Sequence, residues 1–183
     1  MELKGKAVIV TGGASGLGEA CVRQFISEGA NAATLDLDGE KGRRLDNELG
    51  SQVAYCETDV TDESSVQSAI DQTLAAFGAI HVVINCAGVG WPAKVLGKEG
   101  PMELDHFNRV VHINLVGTIN VIRLAAAKMV LNPPNKDGEK GVVINTASAA
   151  AYDGQIGQAA YRASKSGVVG MTLPIAREFA EYG

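Results

Sequence analysis

The 183-residue chain is 46% hydrophobic and only 5% aromatic, enough to bury one sizeable core but too short for two ordinary domains, so residues 1–183 read as a single domain. Its 16 basic residues face 21 acidic ones, a net charge of −5, which argues against nucleic acid or an anionic membrane as the main partner and for a small molecule. Cys21, Cys56 and Cys86 are odd in number, lack CxxC spacing and lie in apolar or small-residue stretches, so they read as packed, reduced thiols in a cytoplasmic setting. The N-terminal apolar core, Ala7-Val8-Ile9-Val10, is too short for a signal peptide, and no run reads as a membrane span.

Along the chain, short β-branched runs alternate with longer helical stretches, the pattern of repeated βαβ units around a parallel sheet buried on both faces. Strands are expected at 6–11, 31–36, 52–57, 79–85 and 141–146, each nearly continuous in apolar residues. Leu17, Ala20, Cys21 and Phe25 recur at helical spacing up to a stop at Gly29. Val66, Ile70, Leu74 and Phe77 repeat the pattern behind Thr61 as expected N-cap, with Asp62 and Glu63 suiting the helix start. A long helix is expected from 104 to 131, stopped by Pro133-Pro134, and residues 132–140 read as a polar surface loop. A last helix is expected over 158–181, bent or broken at Pro174. Right-handed crossovers give the five strands the order 3-2-1-4-5, with a ligand crevice at the carboxyl ends of strands 1 and 4.

Thr11-Gly12-Gly13-Ala14-Ser15-Gly16-Leu17-Gly18 joins the first strand to the first helix. Glycines there let the backbone turn sharply and approach a pyrophosphate, while free N–H groups and the helix dipole attract its charge. The spacing, Gly12-x-x-x-Gly16-x-Gly18, departs from G-x-G-x-x-G, and such a turn alone is equally a packing device. Asp36 ends the second strand where a carboxylate meets the adenosine ribose, and it would repel a 2′-phosphate. Neither Ala14 nor Ser15 supplies a compensating cation, so NAD is expected over NADP. Asp38, two residues on, leaves the assignment between the two carboxylates open.

The turn at 11–18, then Asn85-Cys86-Ala87-Gly88, Asn114, Ser148 and Tyr161-Arg162-Ala163-Ser164-Lys165 together resemble the short-chain dehydrogenase/reductase family, in its order and spacing, over essentially the whole chain. Residues 143–148, 157–161, 170–177 and the 132–140 loop are similar to the type-2 3-hydroxyacyl-CoA dehydrogenase branch. The resemblance implies a Rossmann-type doubly wound α/β fold and contacts to NAD from Gly12, Ser15, Gly16, Leu17, Gly18, Asp36, Cys86, Ala87, Gly88, Tyr161 and Lys165, with Asp59 and Val60 at the adenine. It also implies that Pro174 is tolerated inside its helix. The family continues with further strands and a substrate-covering loop, which this sequence, ending at Gly183, lacks.

Tyr161 and Lys165, four apart at a helix start, share a face. A phenol is a poor base at neutral pH, and a nearby ammonium favours its ionised form. Tyr161 is therefore the expected general acid/base, with Lys165 beside it. By resemblance Ser148 holds the reacting oxygen and Asn114 anchors a water that links Lys165 to solvent. Singly, each residue reads equally well as a helix-surface, capping or helix hydrogen-bonding group; their joint arrival behind a dinucleotide turn favours chemistry. Gln158 is a further substrate-contact candidate, and Trp91-Pro92 borders the cleft as loop hydrophobe or acyl-pocket wall. His81, His106 and His112 show neither metal-ligand spacing nor a triad pattern, so no metal is expected.

The expected activity is NAD-dependent hydride transfer to or from a secondary alcohol. By resemblance the substrate is a 3-hydroxyacyl-CoA of fatty acid metabolism or a similar hydroxyl compound, with hydroxysteroids as another choice. A 3-oxoacyl reductase is disfavoured by Asp36, because such reductases usually take NADP. The competing expectation is an NAD-binding or assembly module with little turnover. The long fourth and last helices imply, through the family, a homodimer or homotetramer.

Overall fold

The computed structural model describes residues 1–183. Seven strands and six α-helices follow one another as β1 (Ala7–Thr11), α1 (Gly16–Ser27), β2 (Asn31–Asp36), α2 (Gly39–Leu49), β3 (Val53–Glu57), α3 (Glu63–Phe77), β4 (Val82–Asn85), a hairpin of β5 (Leu96–Gly97) and β6 (Gly100–Pro101), α4 (Leu104–Val111), α5 (Gly117–Met129), β7 (Val142–Asn145) and α6 (Ala159–Phe179). The five long strands form one parallel sheet in the order β3-β2-β1-β4-β7, the expected 3-2-1-4-5 order with β7 as its fifth member. One apolar cluster, including Ile9, Leu35, Ile70, Val83 and Val121, lies on the face under α3 and α5. A second, including Val8, Val10, Val22, Ala32 and Leu45, lies under α1 and α2. Burial on both faces explains why the strands read as continuous apolar runs rather than alternating ones.

Several local expectations need correction. The N-cap of α3 is Asp62, whose carboxylate accepts Ser64 and Ser65 N–H groups, whereas Thr61 turns back to Asp59 with N–H and hydroxyl bonds of 2.8 and 2.7 Å. The long helix is interrupted by a π-helical turn at His112–Val116, between α4 and α5. Helix α6 runs through Pro174 without a break, from Ala159 to Phe179. Helix α2, which has only Gly42 and Leu45 buried, was not anticipated.

The stretch Leu104–Met129 is long and apolar enough to cross a membrane, with a mean hydropathy of 1.5 over its best window, against the expectation that no run qualifies. Half of that window is buried in the fold, where Val121, Ala125 and Met129 join the sheet core, so its apolar character serves a core helix.

Candidate active site

At the carboxyl ends of β1 and β4 the strand order reverses, and there a cleft of about 710 Å³ opens. The phosphate-turn candidates form one wall because their backbone is squeezed. A Cβ on Gly12 would lie 2.9 Å from the Ala87 backbone, and one on Gly13 would lie 2.8 Å from the Val10 carbonyl oxygen. At Gly18 it would overlap the Gly12 carbonyl. Gly16 has φ 54° and open space where its side chain would be. Ser15, the N-cap residue of α1, makes no side-chain capping bond, so the first N–H groups of the helix keep no side-chain partner and face the cleft. This is a cradle that fits a pyrophosphate.

The two carboxylates left open by the sequence separate cleanly. Asp36 lines the cleft, its Oδ2 accepting the Ala14 N–H and its Oδ1 the Asp38 N–H, both at 3.0 Å. Asp38 instead caps α2 and pairs with Lys41 at 2.7 Å, which holds its carboxyl below the usual range. Asp59 and Val60 stand farther along the same cleft, Val60 fixed by the Asn120 amide on its carbonyl and by Gly117, which leaves room for its side chain. Opposite, the Cys86 and Ala87 N–H groups both donate to the Thr11 hydroxyl at 3.1 Å, which sets the course of the chain toward Gly88. Every expected dinucleotide contact except Tyr161 and Lys165 lines this cleft.

The catalytic candidates form an adjoining network. The π-turn carries Asn114 inward, fully buried, where its Nδ2 donates to the Val89 carbonyl (2.9 Å) and to the Ser164 hydroxyl (3.0 Å), and its Oδ1 accepts the Val89 N–H (2.8 Å). Ser164 in turn donates to the Tyr161 carbonyl at 2.7 Å. Lys165 is buried to 6% exposure, and burial lowers its pKa from the ordinary lysine value. Its ammonium donates to the Thr146 carbonyl at 2.7 Å and stands 5.9 Å from the Tyr161 ring centre. Ser148 sits just beyond β7, its hydroxyl accepting the Ala150 N–H at 3.1 Å, so the capping role weighed from sequence is one that it performs. The two regions meet at Gly88, where a Cβ would lie 3.0 Å from Asn114 Oδ1 and 3.7 Å from Lys165 Nζ. Gln158 is half-buried at the start of α6, its main-chain carbonyl accepting from Arg162.

Trp91 also lines the cleft, with the Arg109 guanidinium 5.8 Å from its ring centre and the His106 ring 2.8 Å from its carbonyl. Arg109, His112 and Ile113 complete that wall; Arg109 and Ile113 were not singled out from sequence and His112 was assigned no chemistry, the one signal being their own i, i+3, i+4 spacing.

Residues 6–183 match the family model described as short chain dehydrogenase. The chain belongs to the short chain dehydrogenase family. Its relatives include the "3-hydroxyacyl-CoA dehydrogenase type-2" of Bos taurus, 48% identical, and that of Homo sapiens, 47% identical, each over 99% of this chain and 70% of the relative's length. A crystal structure of 3-hydroxyacyl-CoA dehydrogenase type-2 from Mycobacterium avium superposes with a TM-score of 0.94 at 38% identity, covering 100% of this chain and 73% of that one. Short chain dehydrogenases are oxidoreductases that act on small hydroxyl or carbonyl substrates with a nicotinamide cofactor, and the cradle described above fits such a dinucleotide.

Proposed function

We propose that this dehydrogenase uses NAD to interconvert a secondary alcohol and its ketone, that its substrate is a 3-hydroxyacyl-CoA, and that Tyr161 is the general acid/base. The observation that carries the cofactor reading is Asp36, a carboxylate fixed in the cleft wall by two backbone N–H groups at the end of β2. A 2′-phosphate beside it would meet uncompensated negative charge, whereas ribose hydroxyls would find an acceptor. Gly12, Gly16 and Gly18 hold the pyrophosphate at the start of α1, and Asp59 with Val60 borders the adenine. The choice of acyl-CoA rests on the names of the relatives.

Bound NAD supplies the hydride acceptor. The residues of the chain do the rest. Ser148 donates a hydrogen bond to the substrate oxygen, and Tyr161 Oη takes the hydroxyl proton as the carbonyl forms. Lys165, charged and close to the Tyr161 ring, favours the phenolate electrostatically. Asn114 and Ser164 tie the π-turn to α6, the helix that carries Tyr161 and Lys165.

The test is a fluorescence titration of the purified chain with NADH and NADPH, followed by acetoacetyl-CoA and the loss of nicotinamide absorbance, with Tyr161→Phe alongside. Selective NADH binding is expected, with turnover reduced about 10²–10⁴-fold in Tyr161→Phe. Equal binding of both dinucleotides would overturn the reading of Asp36, and undiminished turnover in Tyr161→Phe would overturn that of Tyr161.

A further inference from the structure

An anionic ligand entering the cleft meets two carboxylates, Asp36 and Asp59, and a single lysine or arginine side chain, Arg109. The carboxylates already accept donors of the chain, Asp36 from the Ala14 and Asp38 N–H groups and Asp59 from the N–H and hydroxyl of Thr61. Arg109 is held more loosely. Its Nε stands 3.1 Å from Asp105 across one turn of α4, with the two side chains 63% and 77% exposed, so water screens the pair and a stronger acceptor displaces it. At the cleft wall the guanidinium is kept by Trp91, whose ring centre lies 5.8 Å away. The backbone that carries this indole is pinned at three points. The His106 ring stands 2.8 Å from the Trp91 carbonyl, the Ala93 N–H donates to the Gly157 carbonyl at 2.8 Å, and both main-chain groups of Val89 bond to the buried Asn114 side chain. Topology orders these groups along the cleft. In the sheet, β2 and β4 flank β1. Asp36 ends β2, the glycine turn leaves β1, and the segment bearing Trp91 leaves β4. The carboxylate and the guanidinium thus belong to strands on either side of the turn.

We propose that Arg109, backed by Trp91, is a phosphate-binding group of the cleft, and that with the N–H groups of the glycine turn it grips the pyrophosphate of the dinucleotide. The turn offers main-chain donors and a helix dipole but no full charge. The guanidinium adds the cation, and its planar fork of donors matches a pair of phosphate oxygens. Binding exchanges the Asp105 carboxylate for the phosphate, while the indole holds the guanidinium at the wall. Asp36, on the β2 side, is left to the ribose hydroxyls. Coenzyme A carries phosphates of the same chemistry, so the two sources are separated by experiment.

Because this rests on the cleft being the NAD site, NADH is titrated first against the parent chain; absence of binding there overturns the cofactor reading and this assignment with it, whereas the variants test Arg109 alone. Trp91 is the one tryptophan of the chain, so its emission reports on the contact, and ADP-ribose, which keeps the pyrophosphate, should change it. Affinities for ADP-ribose, NADH, NADPH and coenzyme A are then measured by calorimetry, and that for adenosine by displacement of NADH, on parent, Arg109→Gln and Arg109→Lys. Arg109→Gln should weaken ADP-ribose and NADH about tenfold or more, the loss of a charge-assisted contact, and leave adenosine unchanged. Arg109→Lys should recover part of the loss. Added salt should weaken NADH more steeply in the parent than in Arg109→Gln. Urea unfolding of both variants should match the parent, since the side chain is mostly exposed. Equal losses for adenosine and ADP-ribose, or no loss for either with an unchanged salt dependence, would overturn the phosphate contact. A loss confined to NADPH would place the guanidinium at the 2′-phosphate and overturn the pyrophosphate assignment. A loss confined to coenzyme A would overturn it in favour of the substrate's phosphates.

Discussion

Asp36 is held by two backbone N–H groups, so its carboxylate shapes the 11–18 turn as well as the cleft wall, where the proposed ribose contact would lie. Asp36→Ala should therefore weaken NADH about tenfold or more, the loss of one to two charge-assisted hydrogen bonds, while narrowing the gap to NADPH. Paired fluorescence titrations read both effects. Asn114 carries a structural burden of the same kind: Asn114→Ala strands the Val89 N–H and carbonyl in the interior and should cost about 1–3 kcal/mol in urea unfolding. His81 makes the pH prediction. Burial and the nearby Lys6 charge hold its pKa below the ordinary 6.5, and its Nδ1 accepts the Ala7 N–H at 3.1 Å. The native state thus prefers neutral histidine, and the unfolded chain binds the proton more readily. Stability from this site is complete above 6.5 and falls as the pH drops through the lowered native value. Melting temperatures measured on either side of that window should fall less steeply for His81→Gln than for the parent. At this scale the placement of the glycine turn and of the cleft-lining residues was legible, because close backbone approach and strand ends put them there. The choice between Asp36 and Asp38 was not, because a helix cap and a cleft-wall residue present the same carboxylate two residues apart.

The turn between β1 and α1 works only because three glycines let the backbone touch other backbone. Gly18→Ala would drive a methyl group into the Gly12 carbonyl, and nothing flexible stands there to yield. It should destabilise the fold by about 1–3 kcal/mol and abolish tight NADH binding together, as read by urea unfolding and titration on the same sample. Chain periodicity revealed the five sheet strands, since fully buried apolar runs are distinctive, and it placed α1, α3 and α6 within a few residues. It missed α2, whose sheet side is little more than Gly42 fitted against the Tyr55 ring and Leu45, too few apolar residues to make a repeat. The hairpin of β5 and β6 has only two residues per strand and carries no alternation to detect. The π-turn at Asn114 was also hidden, because the Asn114 side chain accepts a hydrogen bond from Val89 and donates one to Ser164, both far away in sequence.

For the whole molecule, the sheet order followed from right-handed crossovers combined with the doubly wound pattern that a glycine turn after the first strand signals. The same topology leaves β7 at the sheet edge, and there the burial changes character. Where β1 is buried throughout, Val142 and Ile144 are 36% and 49% exposed, and a groove of about 280 Å³ lined by Val143, Ile175, Ala176 and Phe179 runs beside them. An unpaired strand edge next to an apolar groove is a template for association. The chain should accordingly self-associate as its concentration rises, measurable by sedimentation velocity. Ile144→Lys places a charge on that edge and should suppress the association while changing unfolding stability by no more than about 0.5 kcal/mol, since the side chain is half exposed already. Equal association of parent and variant would place the contact elsewhere, with the exposed outer face of α6 around Leu173 the next surface to charge.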